Sequence, residues 1–361
     1  MPLAAKGGGI IYPIHIKNSW DNLAKSLTDA RLGKSKVFIV TDVNVANLYL
    51  EDVSDALSPY FSSVSHAILP VGEAEKNLSS LSALLTVFHS ATLDRSSVIT
   101  ALGGGVISDI AGFAASIYMR GISYISMPTT LLGMVDSSIG GKTGIDFDGA
   151  KNLIGSFHNP SLVYMNLTTL KSLDNAQYIS GLAEVIKYGI IIDDGLFNYV
   201  SDNKAKITAC NPIILEKIIR DCVHIKSEVV AADEKEVGLR QILNYGHTFG
   251  HAIESLCDFS LPHGHCVALG MMCAANFSYN MGRMSAIDVE RIAGLLDFFG
   301  LPTKLPKQYN LHDNDNYDMM CKDKKMRNDA MTLIISHKIG SAEIINDAKQ
   351  DEVIKAINSI L

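Results

Sequence analysis

No stretch of the chain stays apolar for the ~18–20 residues that a membrane helix needs, so no span across a bilayer is expected. The start, MPLAAKGGGIIYPIHI, has one early lysine and no long apolar run before a cleavage site, and predicts no signal peptide. Cysteine is sparse: Cys210, Cys222, Cys257, Cys266, Cys273 and Cys321, none forming a CxxC pair. That scatter excludes a disulfide framework and fits idle thiols in a reducing cytoplasm. Positive charge is in deficit, with a formal net charge of −7. No general attraction to nucleic acid or anionic lipid follows, and an anionic substrate would need cations that converge locally. Internal repeats and low-complexity linkers are absent as well.

The 361 residues suggest about two domains, and the 47% hydrophobic content suits a buried core. Through about residue 165, short β-branched runs alternate with helical patterns. KVFIVT (36–41), SVITAL (97–102) and 124–127 read as strands, and 78–91 reads as a helix. This alternation predicts a mostly parallel sheet with helices on its faces. After about Leu170 helices dominate: 176–188, 212–232, 239–257, 263–281 and 286–299. Strand-like patterns return only at 331–335 and 342–345. The boundary is expected near 160–175.

Gly103, Gly104 and Gly105 follow a strand and precede VISDIAGFAASI. Glycines there let a phosphate approach the backbone, and the next helix offers free N–H groups. Glycine also closes such turns for steric reasons alone, and Asp109 also suits a helix dipole. The segment 134–157 sets Asp136, Lys142, Lys151 and Asn152 among glycines and small residues. It reads either as a long solvated loop or as a clamp for an anion. Glu184 and Lys187 share a helix face, as a surface ion pair would or as a site would. Four of the eleven histidines, His247, His251, His263 and His265, fall within 19 residues. Such clustering near a carboxylate favours a metal site of the His₂Glu kind. Spacing alone does not choose the ligands, and the i,i+4 pair His247/His251 is the simplest choice. On a single helix, Arg240 and Asn244 continue that face.

Taken together, GGGVISDIAG, YMRG, PTTLL, DSSIGGKTGID, KNLIGSF, GLAEVIKYGII, LNYGHTFGHAIE and HGHCVALGM resemble the 3-dehydroquinate synthases, a branch of the sugar-phosphate cyclases. They stand in the family's order over most of residues 36 to 275, with a shorter match at Asp323–Lys325. The resemblance implies an N-terminal Rossmann-like α/β domain (1–170) that binds NAD. A mainly α-helical domain (171–361) that binds metal and substrate would follow it. It also implies a cytoplasmic homodimer that converts 3-deoxy-D-arabino-heptulosonate 7-phosphate to 3-dehydroquinate and phosphate in the shikimate pathway. By this match zinc, or cobalt in its place, is held by Glu184, His247 and His263, and His251 becomes an acid/base or substrate-contact residue. Lys142, Asn152, Lys187, Lys226, Arg240 and Asn244 match substrate contacts, with Lys324 a further one. Arg120 would reach the phosphate from the partner subunit. NAD would meet Asp42, Asn44, Glu73, Lys76, the turn Gly104, Gly105, Val106, Ile107, Ser108 and Asp109, then Thr129, Thr130, Asp136, Lys142, Lys151, Thr169, Leu170, Lys171 and Ser172.

One departure stands out. Where the family commonly carries HGEAVAIGM, this chain has HGHCVALGM, so His265 replaces a glutamate beside His263. Other readings predict other products. A related cyclase would make 2-deoxy-scyllo-inosose, a valiolone or an amino-dehydroquinate. A metal-dependent polyol dehydrogenase would accumulate NADH, and a binding protein would turn nothing over.

Overall fold

A computed structural model describes residues 3–7, 10–258, 260–309, 317, 319–320, 326–327 and 330–361. The chain divides into two compact units. One comprises Met1–Leu173 with Leu215–Glu234, and the other Asp174–Ile214 with Lys235–Leu361. Among the described residues no helix is long and apolar enough to cross a membrane.

The first unit is an α/β layer structure. Its strands are β1 (Leu3–Gly7), β2 (Ile10–Lys17), β3 (Lys36–Asp42), β4 (Ser63–Leu69), β5 (Val98–Gly103), β6 (Ser123–Pro128), the hairpin β7 (Lys142–Phe147) and β8 (Ala150–Phe157), and β9 (Leu162–Asn166). Seven of them form a sheet in the order β1-β2-β9-β6-β5-β3-β4, parallel except for β1. β3 and β5 are apolar runs because both their faces are covered. Alternate side chains enter separate cores. Phe38 and Val40 pack with residues of α3 (Leu78–Ser90) and α4 (Gly105–Ile117). Val37 and Ile39 pack with residues of α1 (Leu23–Asp29) and α2 (Val43–Leu57). The strand order runs outward from β3 to β4 and then returns to β5 on its other side. That reversal sets the carboxyl ends of β3 and β5 at a switch point, where open α/β sheets bind ligands.

The segment 134–157 is not the solvated loop that its glycines allow. A single π turn (Gly133–Ser137) leads into the β7–β8 hairpin. Asp148 and Gly149, with φ of 50° and 76°, form its two-residue turn. A Cβ on Gly112 of α4 would sit 2.6 Å from Thr143 Cγ2, so the hairpin lies hard against that helix.

The second unit is mainly helical: α5 (Asn175–Ile191), α6 (Asp194–Asp202), α7 (Lys204–Thr208), α9 (His247–Leu256), α10 (His263–Asn280), α11 (Ala286–Phe298) and α12 (Gln350–Asn358). A small antiparallel sheet joins them: β10 (Met326–Arg327), β11 (Ala330–Lys338) and β12 (Ser341–Ala348). The long helix α8 (Pro212–Ala232) contributes most of its length to the first unit.

The expected helix 239–257 is broken. Leu239–Asn244 is a 3₁₀ turn, Gly246 turns left-handed at φ 76°, and α9 begins afresh at His247. A Cβ on Gly246 would lie 2.9 Å from the Met271 nitrogen, and one on Gly270 would lie 1.9 Å from the Gly246 oxygen. Backbone meets backbone there, which only glycine permits. Arg240 and Asn244 therefore do not continue the face of His247 and His251.

Candidate metal centre and nucleotide turn

In the second unit, α5 starts at Asp174, whose carboxylate accepts from the Ala176 N–H at 2.9 Å. From Ser180 to Ile191 every residue of this helix is buried. It thus carries Glu184 and Lys187 inside the protein, at 1% and 2% exposure. This is no surface ion pair, although the Lys187 ammonium lies against Glu184 Oε2. Neither carboxylate oxygen accepts a well-formed hydrogen bond. His247 Nε2 stands 3.4 Å and His263 Nε2 3.8 Å from Glu184 Oε1.

These three residues offer ligand atoms all within 4.8 Å of one another. Their convergence depends on Gly264, whose N–H donates to Ser180 Oγ at 2.9 Å and whose absent side chain would collide with the Ser180 backbone. The contact pins the start of α10, and so His263, beside α5. The His247 ring approaches the Tyr245 carbonyl through Nδ1 at 3.1 Å. A proton on Nδ1 leaves the Nε2 lone pair facing Glu184.

The three groups shape one another's ionisation. Burial opposes ionisation of Glu184, but Lys187 and then His247 hold its carboxyl well below the ordinary range. Burial and Lys187 push the His247 imidazole down against the pull of Glu184. Burial also works against protonation of His263, yet Glu184 and Glu254 raise it to about 9. A carboxylate and two imidazoles, with His247 favoured as neutral, make a donor set suited to zinc.

The other histidines differ. His251 lies with its ring 5.3 Å from that of His247 and 6.3 Å from that of His263. His265, its basicity lowered by burial, is outside the triad. Glu254, 3.8 Å from His263 Nδ1, escaped the sequence reading. Its signal was its place two turns after His247 on the same helix. Glu236 was also missed. It accepts from Asn244 Nδ2 at 2.5 Å and carries no sequence signal. Arg240 is buried at 2% exposure.

In the first unit, the turn after β5 opens α4 with Gly104 as a cap that has no side chain to satisfy the free N–H groups. Cβ atoms on Gly104 and Gly105 would face Thr130 and Ser137 at 3.1 and 3.6 Å. Val106, Ile107, Ser108 and Asp109 form the first turns of α4. Thr129 is buried, its N–H donating to the Gly103 carbonyl at 3.0 Å, and Thr130 Oγ1 accepts from Gly133 N. Asp42 caps α2 by accepting from Val45 N at 3.0 Å, while Asn44 beside it is exposed. Thr169, Leu170 and Lys171 lie in a 3₁₀ turn, and the Ser172 hydroxyl donates to the Thr169 carbonyl.

Lys226 of α8 donates to Asp136 at both its carboxylate (2.6 Å) and its carbonyl (2.9 Å). Lys142, Lys151 and Asn152 are exposed on the hairpin, and Glu73 is exposed in a 3₁₀ turn before Lys76. Arg120 is exposed, in left-handed backbone at φ 71°. Of the cations expected to contact substrate, Arg120, Lys142 and Lys226 belong to the first unit and Lys187 and Arg240 to the second. Lys324 lies outside the described residues.

Comparison with known proteins adds to this geometry. Residues 66–180 match the family described as 3-dehydroquinate synthase N-terminal, and residues 181–326 match 3-dehydroquinate synthase C-terminal. The chain is 41% identical over 342 residues to a 3-dehydroquinate synthase of Acetivibrio thermocellus, covering 94% of this chain and 93% of that protein. A 2-epi-5-epi-valiolone synthase from Streptomyces hygroscopicus, solved with NAD+ and Zn2+ bound, superposes with a TM-score of 0.87 at 26% identity, over 100% of this chain and 99% of that one. A 2-deoxy-scyllo-inosose synthase complexed with carbaglucose-6-phosphate, NAD+ and Co2+ shares the fold, with a TM-score of 0.89 at 23% identity over the full length of both chains.

Proposed function

The chain belongs to the 3-dehydroquinate synthase family, and on that premise we propose that it is a phosphate-eliminating carbon–oxygen lyase. Its substrate is 3-deoxy-D-arabino-heptulosonate 7-phosphate, and its products are 3-dehydroquinate and phosphate. The reading rests on one observation above all: a buried carboxylate and two partly buried imidazoles converge in the helical unit, with Lys187 beside them. Glu184, His247 and His263 would hold zinc, or cobalt in its place. NAD would be bound by the first unit, at the turn Gly104–Asp109. When bound, the metal supplies Lewis acidity at substrate hydroxyls and NAD supplies a hydride acceptor that is regenerated in each turnover.

The chain's own residues do the rest. Lys187 and Arg240, both buried, set positive charge where the substrate's anionic groups must be held. Lys142, Asn152, Lys226 and Asn244 orient its hydroxyls. His251, a neighbour of both histidine ligands, is placed to move a proton without itself binding the metal. Arg120 completes the phosphate site from the partner of a cytoplasmic homodimer.

Incubation with the heptulosonate phosphate, NAD and zinc tests this. The expected result is phosphate and dehydroquinate in equal amounts without accumulated NADH. Stoichiometric NADH would instead mark a net dehydrogenase, and phosphate with a different carbocycle would mark a related cyclase.

A further inference from the structure

Lys76 has contacts that cofactor binding does not call for. It is 4% exposed. Its ammonium donates to Asn152 Oδ1 at 2.6 Å and to Asp109 Oδ2 at 2.9 Å, and lies 3.4 Å from Glu73 Oε1. An ammonium has three protons, and three acceptors lie within 3.4 Å of this one, with Asp146 Oδ1 farther off at 4.0 Å. The backbone closes the same circuit. Asp146 N–H donates to the Lys76 carbonyl at 2.7 Å, and Asn152 N–H donates to Asp146 Oδ1 at 2.8 Å. The 3₁₀ turn before α3, helix α4 and both strands of the hairpin therefore meet at one buried cation.

Asn152 needs such a tie. Its φ is 52°, a left-handed conformation that asparagine adopts more readily than other side chains when its amide finds a hydrogen bond, and it lies on an exposed strand. A side-chain amide can also present either its oxygen or its nitrogen. An ammonium has no acceptor, so only the amide oxygen can face it.

We propose that Lys76 is a positioning residue for Asn152: by taking the amide oxygen, it fixes the side-chain nitrogen as the end presented to substrate. The substrate half of this statement rests on the proposed function. The structural half does not.

Four variants separate the two: Lys76→Met, Asn152→Leu, the double variant, and Asn152→Asp. Hydrogen–deuterium exchange on the NAD-free protein reads the structural half. Lys76→Met and Asn152→Leu should each speed exchange at Asp146 and Asn152 by at least about tenfold, a factor matching the loss of one charged hydrogen bond. Asn152→Asp, which keeps an acceptor for the ammonium, should keep these amides protected. Unchanged exchange in Asn152→Leu, whose altered side chain is exposed and spares the core, overturns the proposal.

Turnover at saturating NAD reads the substrate half. Each single variant should lose at least about tenfold in kcat/KM, and the double variant no more than the worse single one. Losses that multiply show that Lys76 acts independently and overturn the proposal. Asn152→Asp should lose turnover despite its intact hairpin, because it offers an acceptor where a donor is required. Wild-type-like turnover of that variant overturns the assigned orientation. If the wild-type protein does not turn over the heptulosonate phosphate, the proposed function fails, and the exchange data alone decide the positioning role.

Discussion

The ligand choice turns on where one histidine is anchored. Spacing favoured His247 and His251, four apart on one helix. His263 sits at the start of another helix, where the Gly264–Ser180 contact holds it beside Glu184. Periodicity reports neighbours along one element and is silent about such a crossing, so His263 was legible through motif resemblance alone. His263→Ala should abolish stoichiometric zinc in elemental analysis, and His265→Ala should leave it near the wild-type level. The reverse pattern would transfer the ligand role to His265. Glu254, facing His263 Nδ1, should matter as an orienting group, and Glu254→Gln should weaken metal affinity about 10–100-fold. A titratable pair in the first unit gives a further prediction. Burial raises the Asp109 carboxyl from 3.8 to about 6, against the pull of Lys76. The folded chain then binds this proton more tightly than the unfolded one. The group's contribution to stability is therefore greatest below pH 3.8 and declines as pH rises through about 6. Carbon-13 titration should place the Asp109 midpoint near 6 and move it higher in Lys76→Met. A midpoint at or below 3.8 contradicts the assignment.

Among the elements, the hairpin and the helix break show what a local pattern conveys. Asp148–Gly149 between IDF and AKNLI is a strong hairpin signal, and the β7–β8 turn could have been read from it. The surrounding glycines masked it, because Gly144 and Gly155 serve close strand packing rather than looping. The break before α9 had no comparable mark. A glycine inside a helical pattern is common, and what stops this helix is the backbone of α10, far along the chain. Two substitutions separate those cases. Gly270→Ala places a Cβ against the Gly246 carbonyl, where no flexible side chain can move aside. It should cost at least about 1–3 kcal/mol in chemical denaturation. Gly294→Ala on α11 meets nothing within 4 Å and should gain up to ~1 kcal/mol from helix propensity. Equal effects would mean that the α9–α10 approach is not rigid.

For the whole molecule, the α/β-then-helical order was legible because both strand and helix periods are strong, and the strands are apolar enough to declare themselves buried. The placement of α8 was not, since an apolar stripe does not name its partner. At this scale the net charge of −7 leaves local cations to hold an anionic substrate. Arg120→Ala should lower kcat/KM at least about tenfold, and Arg120→Lys should not restore it fully, because lysine lacks the planar fork. If Arg120 serves the partner's site, mixing Arg120→Ala with Lys142→Ala after subunit exchange should recover about a quarter of wild-type activity, since half the dimers are mixed and each has one intact site. Proven exchange without recovery would place Arg120 in its own chain's site or in none. The division of the chain also bears on its biogenesis. The sheet unit is completed by residues 215–234, which follow a passage through the other unit. A nascent polypeptide must therefore wait until Glu234 has left the ribosome before that unit can close. Until then the unit lacks a helix whose Leu215, Ile218, Ile219, Cys222 and Val223 are buried in the finished protein. Translation at ~5–20 residues per second leaves a window of several seconds, in which chaperone protection would count most.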